Sequence, residues 1–350
     1  MTKRHAFIIL IIINTIISCT NNDSYKDADS FSYSDFGNSI SLHGTIIEFD
    51  DILMKPVDIR VSDSLLIMKN RGPEYHFHIF SFHDYKKKGE LISFGNGPNE
   101  MIEPTILFSD DSFIWVLDHE KRSVSKCSFN ILSDTSYVNI LQKTELKEYI
   151  DKAAVLKDGG IISVALNPQM KRFSIFDNTG QIINNVGEYP ECSLNFKMHE
   201  QFEAFFCDFT IDYKKQRIFM SYKQTDLIEI SNLEGQLIKR MHGPDHFFPI
   251  VKQEQNGDYI KVRSQPGKTK DAYFIPRNAG DEVFVLYSGE VYERGKSELI
   301  NTIFVFDWNG IPKRKYELDN PIYSFDVDQK NRVIYALSDS PEYHAIKYHY

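Results

Sequence analysis

The chain is poor in several things, and each shortage excludes something. Four cysteines in 350 residues cannot make a disulfide-dense scaffold. No G-x-S-x-G nucleophile elbow and no H-E-x-x-H metal pair occurs. Gly267-Lys268-Thr269 imitates the end of a phosphate loop, but position 262 is Val and no strand-to-helix context follows. There is no basic cluster, and the net charge is −9, which argues against nucleic acid as a partner. Beyond the first 18 residues no apolar run is long enough to span a membrane. What is present is a soluble-protein balance of 42% apolar and 25% charged residues with an excess of aromatics, 26 Phe and 19 Tyr. Aromatic side chains suit half-buried pleated surfaces, so the composition points to β structure.

The N-terminus carries the sharpest local pattern. Lys3-Arg4-His5 precedes the apolar run Phe7 to Ile13 and then Asn14-Thr-Ile-Ile-Ser-Cys19, the form of a secretory signal peptide over residues 1–18. Ile16-Ile17-Ser18-Cys19 resembles the bacterial lipobox, which implies that Cys19 is acylated. Two or more acyl chains hold a soluble domain stably at a membrane. Residues 19–41, rich in Ser, Asp and Asn, read as a flexible tether from that lipid. Cys127 and Cys207 fall in expected strands and suit burial, while a Cys192–Cys207 disulfide stays open.

From residue 42 onward the sequence repeats. Phe173-Ser-Ile-Phe-Asp-Asn-Thr-Gly180, Ile228-Glu-Ile-Ser-Asn-Leu-Glu-Gly235 and Ile303-Phe-Val-Phe-Asp-Trp-Asn-Gly310 are each a strand, a polar turn and the start of a second strand. Their spacing gives a period near 50 residues with four short strands per unit, the arrangement of propeller blades. The expected blades begin near 53, 105, 153, 207, 272 and 322. The last has three strands, so the isolated strand 44–49 is expected to complete it and close the ring. The fold class is thus all-β: a six-bladed propeller of four-stranded antiparallel blades over residues 42–350.

Together with the blades and the lipobox, Phe94-Gly-Asn-Gly-Pro-Asn-Glu100 resembles the TolB-like six-bladed propeller lipoproteins of gut-dwelling Gram-negative bacteria. Gly95, Gly97, Pro98, Glu100 and Asp118 match that pattern. The resemblance implies the fold and a lipid-anchored place in the cell envelope, most naturally the outer membrane, and carries no biochemical activity with it.

Function is expected in the loops. The enlarged connections 95–103, 187–206 and 241–271 join blades, and 69–74 and 288–301 join second to third strands; in a propeller all of these leave one face. Three Gly-Pro turns, in 69–74, 95–103 and 241–271, place Arg71, Asn96, Glu100, His242 and Asp245 as candidate ligand-binding groups, with Tyr292 and Arg294 added from the blade-five insertion. His76 and His78 alternate on one strand, but without a third ligand nearby they are a weak metal pair. Glu103, Asp208 and Asp326 could meet at the axis as in metal-dependent propeller hydrolases. The expected function is a lipid-anchored module that binds an envelope protein, a small molecule or a glycan, needing no cofactor and no metal. The alternative is a hydrolase or lyase centred on the channel.

Overall fold

The computed structural model describes residues 24–350 except 52–53, 63, 73, 110–111, 131–136, 258 and 296–297. Six antiparallel sheets stand in a ring in chain order, each strand pairing with the next along the chain. Blade 1 is Pro56–Val61, Leu65–Asn70, Tyr75–Ser81 and Lys87–Ser93. Blade 2 is Pro104–Ser109, Phe113–Asp118, Ser123–Asn130 and Tyr137–Glu145. Blade 3 is Lys152–Val155, Ile161–Val164, Phe173–Phe176 and Ile182–Val186. Blade 4 is Cys207–Asp212, Arg217–Tyr222, Leu227–Ser231 and Leu237–His242. Blade 5 is Tyr273–Ala279, Glu282–Tyr287, Ile300–Asp307 and Pro312–Ile322. Blade 6 takes Ser324–Asp328, Val333–Ser338 and His344–His349 from one end of the chain. Its fourth strand is Thr45–Ile47 from the other end, with Ile46 opposite Ile346. The ring closes as the strand count requires.

The repeated turn is an outer hairpin, and its chemistry is visible. Between third and fourth strands the register slips by one residue at Ile175/Phe176, Ile230/Ser231 and Val305/Phe306. Gly180, Gly235 and Gly310 then take φ of 83°, 77° and 77°. A bulge followed by a left-handed glycine gives the hairpin the right-handed twist the blade needs. At Gly180 a Cβ would also lie 2.0 Å from the Glu145 carbonyl oxygen, so the position excludes side chains twice over.

Apolar side chains fill the spaces between blades. Phe219, Ile228, Val283, Phe304 and Phe306 form the layer between blades 4 and 5. Phe284, Ile303, Phe325, Ile334 and Tyr348 form the next. First strands of neighbouring blades touch one another around the axis.

The expected flexible tether over 19–41 needs correction where the structure describes it. From Tyr25 onward this segment is packed along three blades. Asp29–Ser30 adds a parallel fifth strand to blade 4, and Ile40–Leu42 does the same for blade 5. A short 3-10 turn, Tyr33–Phe36, bridges them. Tyr25, Phe31, Phe36 and Leu42 are buried. Their spacing follows the gaps between blades rather than a helical or strand period, and the polar residues between them need only offer backbone to an open sheet edge. Composition alone therefore misreads the strap. Cys19 and the segment 1–18 lie outside the described residues. No disulfide joins Cys192 to Cys207.

Candidate functional site

The residues expected to surround one mouth of the channel fall into two groups over opposite sides of the ring. Over blades 1 and 2, Glu100 turns back on its own loop: its carboxylate accepts the Gly97 N–H at 2.7 Å. Gly95 takes φ 151°, a conformation that favours glycine, and a Cβ there would also meet the same carboxylate at 2.1 Å. Asp118, wholly buried, accepts the N–H groups of Ile102 and Glu103 at 2.9 and 3.2 Å. The Gly-x-Gly-Pro-x-Glu stretch is thus a clasped turn, with Asn96 exposed at its tip. Arg71 is also exposed; its guanidinium lies 3.9 Å from Glu103, whose carboxylate accepts from Lys69 Nζ at 2.7 Å. Burial opposes ionisation of Glu103, but Lys69 and Arg71 outweigh it and hold its pKa below the usual value.

Over blades 4 and 5 the same device recurs with a different residue. Asp226 is buried and accepts the N–H groups of Asp245, His246 and Phe247 at 2.6, 2.6 and 3.0 Å. His242 is buried too, with Nε2 3.1 Å from Asp226 and its ring edge-on to Tyr25 at 4.8 Å. Asp245 stands at the surface and accepts hydroxyls from Tyr287 at 2.6 Å and Tyr33 at 3.1 Å. Burial and the Asp245 charge push the Tyr33 phenol up to about 12. The Tyr292 backbone ties the insertion after the second strand of blade 5 to Gly267 and Thr269, at 2.9 and 2.8 Å, and Arg294 is exposed.

The channel holds charges in matched sets. Asp58 accepts from Arg60 Nε at 3.0 Å, Arg277 at 2.8 Å and the Ser324 hydroxyl at 2.8 Å. Burial raises the cost of ionising Asp58, yet Arg60 and Arg277 more than offset it and bring its pKa to about 2. Asp326 accepts the Val61 N–H at 2.9 Å and faces Arg277 at 3.9 Å. Lys152 lies 2.6 Å from Asp208, and that carboxylate raises the ammonium pKa. Glu103, Asp208 and Asp326, the acids that could have met at the axis, each pair with a different cation instead. Such a donor set fits a metal poorly, since its carboxylates already carry their counter-charges. Among the described residues, only Asp51, His78 and Glu90 bring three metal-capable side chains within 4.8 Å of one another. His78 and Glu90 sit on the third and fourth strands of blade 1 and Asp51 on the connection before it, and Lys87 Nζ lies 2.8 and 2.7 Å from the two carboxylates, supplying the positive charge itself. His76 turns away to the Met101 carbonyl at 3.0 Å.

Two clefts remain. One, of about 480 Å³, opens between blades 3 and 4 over a buried chain in which Arg172 bonds Tyr222, Tyr222 bonds Glu229, and Glu229 pairs with Arg240. These groups chiefly satisfy one another. The other, of about 510 Å³, is a groove lined by Leu194, Phe196, Phe247, Phe248 and Ile250, with Lys268 and Lys270. The enlarged connections build it. Within 187–206 lies the helix Met198–Ala204, and within 241–271 lies a hairpin, Val251–Asn256 with Tyr259–Ser264, which packs on that helix. Thr269 is buried and stitches the connection, accepting the Gln265 N–H at 2.7 Å and donating to the Ile250 carbonyl at 2.6 Å. Reading 241–271 as one loop overlooked the hairpin. Asn256-Gly257-Asp258 between two alternating runs was its signal, and Gly257 takes φ 63°.

The sequence pattern of the TolB-like 6-blade propeller-like family matches residues 34–330. No curated protein sequence matches the chain. Among solved structures, a member of the DUF4221 family from Bacteroides vulgatus superposes with a TM-score of 0.58 at 10% identity, over 94% of this chain and 98% of that one. An exported protein of Bacteroides fragilis, described as putative, does so with 0.52 at 12%, over 93% and 98%. At such identities the likeness is one of fold.

Proposed function

This chain belongs to the TolB-like six-blade propeller family, and from that premise we propose that it is a binding module of the cell envelope, lipid-anchored through Cys19. Its working surface is the face that carries the enlarged connections. One observation carries this reading: the 187–206 and 241–271 insertions fold into a helix and a hairpin packed on each other, leaving an apolar groove on the surface. Ordering such a platform costs conformational entropy that only burial or contact offsets. The ion-paired acids of the channel favour binding over catalysis, because a general acid or base needs a pKa near working pH and Asp58 is held far below it. The basic and apolar leader ending in Ile-Ile-Ser-Cys19 supports lipidation, and the description of the Bacteroides fragilis neighbour as exported agrees with secretion.

The test is mild crosslinking on intact cells followed by affinity capture. It compares the native chain with one in which residues 251–264 are replaced by a short Gly-Ser turn, and with a Cys19→Ala chain. A crosslinked partner, lipid or protein, enriched only with the intact hairpin, and a Cys19→Ala chain released from the membrane fraction, support the reading. Equal capture by both anchored chains refutes the assignment of this face.

A further inference from the structure

We infer that the hairpin of this platform docks on the surface of an anionic lipid bilayer. The inference rests on the lipid-anchored reading and names what the elaborated face touches. Charge is the first argument. Residues 249–270 carry five basic side chains, Lys252, Lys261, Arg263, Lys268 and Lys270, against two acidic ones, in a chain whose net charge is −9. Among the described residues, Glu254 beside Lys252, at 4.0 Å, is the only carboxylate within ion-pair distance of these five. Lys252 also stands directly opposite Arg263 across the hairpin. Like charges facing each other in that position destabilise a strand pair, and a neighbouring anion relieves them.

Apolar exposure is the second argument. Ile250 and Ile260 are 41% and 56% exposed on this platform, whose hairpin is a two-stranded sheet joined to no blade, and Val291, bridged to Lys270, is 41% exposed beside it. Lys252, Lys261 and Arg263 share one face of the hairpin and Ile260 projects from the other near its tip, so a tip inserted into a bilayer sets cations at the headgroups and an apolar group beneath them.

The third argument is reach. Tyr25 pairs with Cys192, and its ring stacks on Phe248 of the groove wall at 4.7 Å. Five residues lie between Cys19 and Tyr25, so the acylated cysteine can reach at most ~21 Å from Tyr25. The anchor therefore keeps this side of the propeller at the membrane. A groove-bound acidic peptide would use Lys268 and Lys270 but leave Arg263 of the hairpin unengaged, whereas a bilayer presents phosphates to both.

The experiment is hydrogen exchange on the full acylated protein in vesicles of phosphatidylcholine alone and of phosphatidylcholine with phosphatidylglycerol. Amides of 251–264 should exchange at least about fivefold more slowly in the anionic vesicles. A Lys261→Glu/Arg263→Glu double variant with an unchanged melting temperature should lose that protection. Equal exchange in the two vesicles, or protection that survives the double variant, overturns the inference. Protection that needs added envelope protein identifies a protein occupant instead and also overturns it. Flotation separates the failures. A protein that floats without protection keeps its anchor and loses the docking, while one that does not float loses the anchor and the docking with it.

Discussion

Replacing Phe36 by alanine separates a strap from a tether. Phe36 ends the short turn between the two added parallel strands and is 4% exposed. Its ring stacks on Phe304 with centroids 4.3 Å apart and meets Phe306 edge-on at 5.3 Å and Phe31 at 5.9 Å. All of these belong to the apolar layer between blades 4 and 5. A buried Phe→Ala change costs about 3–5 kcal/mol in lost transfer energy and cavity. The aromatic contacts account for part of that, roughly 0.5–1.5 kcal/mol per pair. With a urea slope of about 3 kcal/mol per molar, the unfolding midpoint should fall by about 1–1.7 M. The slope itself should not change, because the same surface is exposed on unfolding. The assay is equilibrium urea unfolding followed by tryptophan fluorescence, since Trp308 sits in the same layer. A segment that only linked lipid to domain would give a change near zero. A loss below about 1 kcal/mol would refute the packing argument.

Three further outcomes follow from the charges and turns. Burial, only partly countered by Lys223, raises the Asp271 pKa from 3.8 to about 6. Because the folded value is the higher one, its favourable contribution is present below pH 4 and is lost as pH rises through 6, a change of about 3 kcal/mol. Asp271→Asn should therefore raise the urea midpoint at pH 8 and have little effect at pH 4; the same shift at both values contradicts the assignment. Arg277→Met removes the buried guanidinium that holds Asp58 and Asp326 and should destabilise by about 3 kcal/mol, whereas a neutral result would mean the channel ion pairs are dispensable. Gly180→Ala meets both a positive φ and the Glu145 carbonyl, while Gly257→Ala meets only the φ. The first should cost at least about 1 kcal/mol more than the second, and equal costs in thermal unfolding would show that the carbonyl contact is unimportant.

The blades were legible because each strand pair carries its own local signal. Val333–Ser338 is a short apolar run with Asp328-Gln-Lys-Asn before it, and Phe173–Phe176 ends at an Asp-to-Gly turn. Closure by Thr45–Ile47 followed from a strand count. The strap from Tyr25 to Leu42 was hidden because its anchors are single residues spaced to fit gaps between distant blades, and no local period records such a spacing. The site was legible as loops but not as contacts. Glu100 and His242 looked like ligand groups by type, while their partners, Gly97 and Asp226, are set by backbone geometry that residue identity does not encode. The groove needed two insertions some 50 residues apart to meet, and only the hairpin turn at Gly257 hinted at one of them.

The account turns on which face of the propeller makes contact in the cell. A photo-crosslinking residue can be placed at Ile260 on the hairpin and, in a second protein, at Thr179 in an outer turn that leaves the opposite face. After irradiation of intact cells, covalent adducts with lipid or protein are expected at position 260 and not at position 179. Adducts at 179 alone, or equal adducts at both, would contradict the assignment of the elaborated face as the working surface.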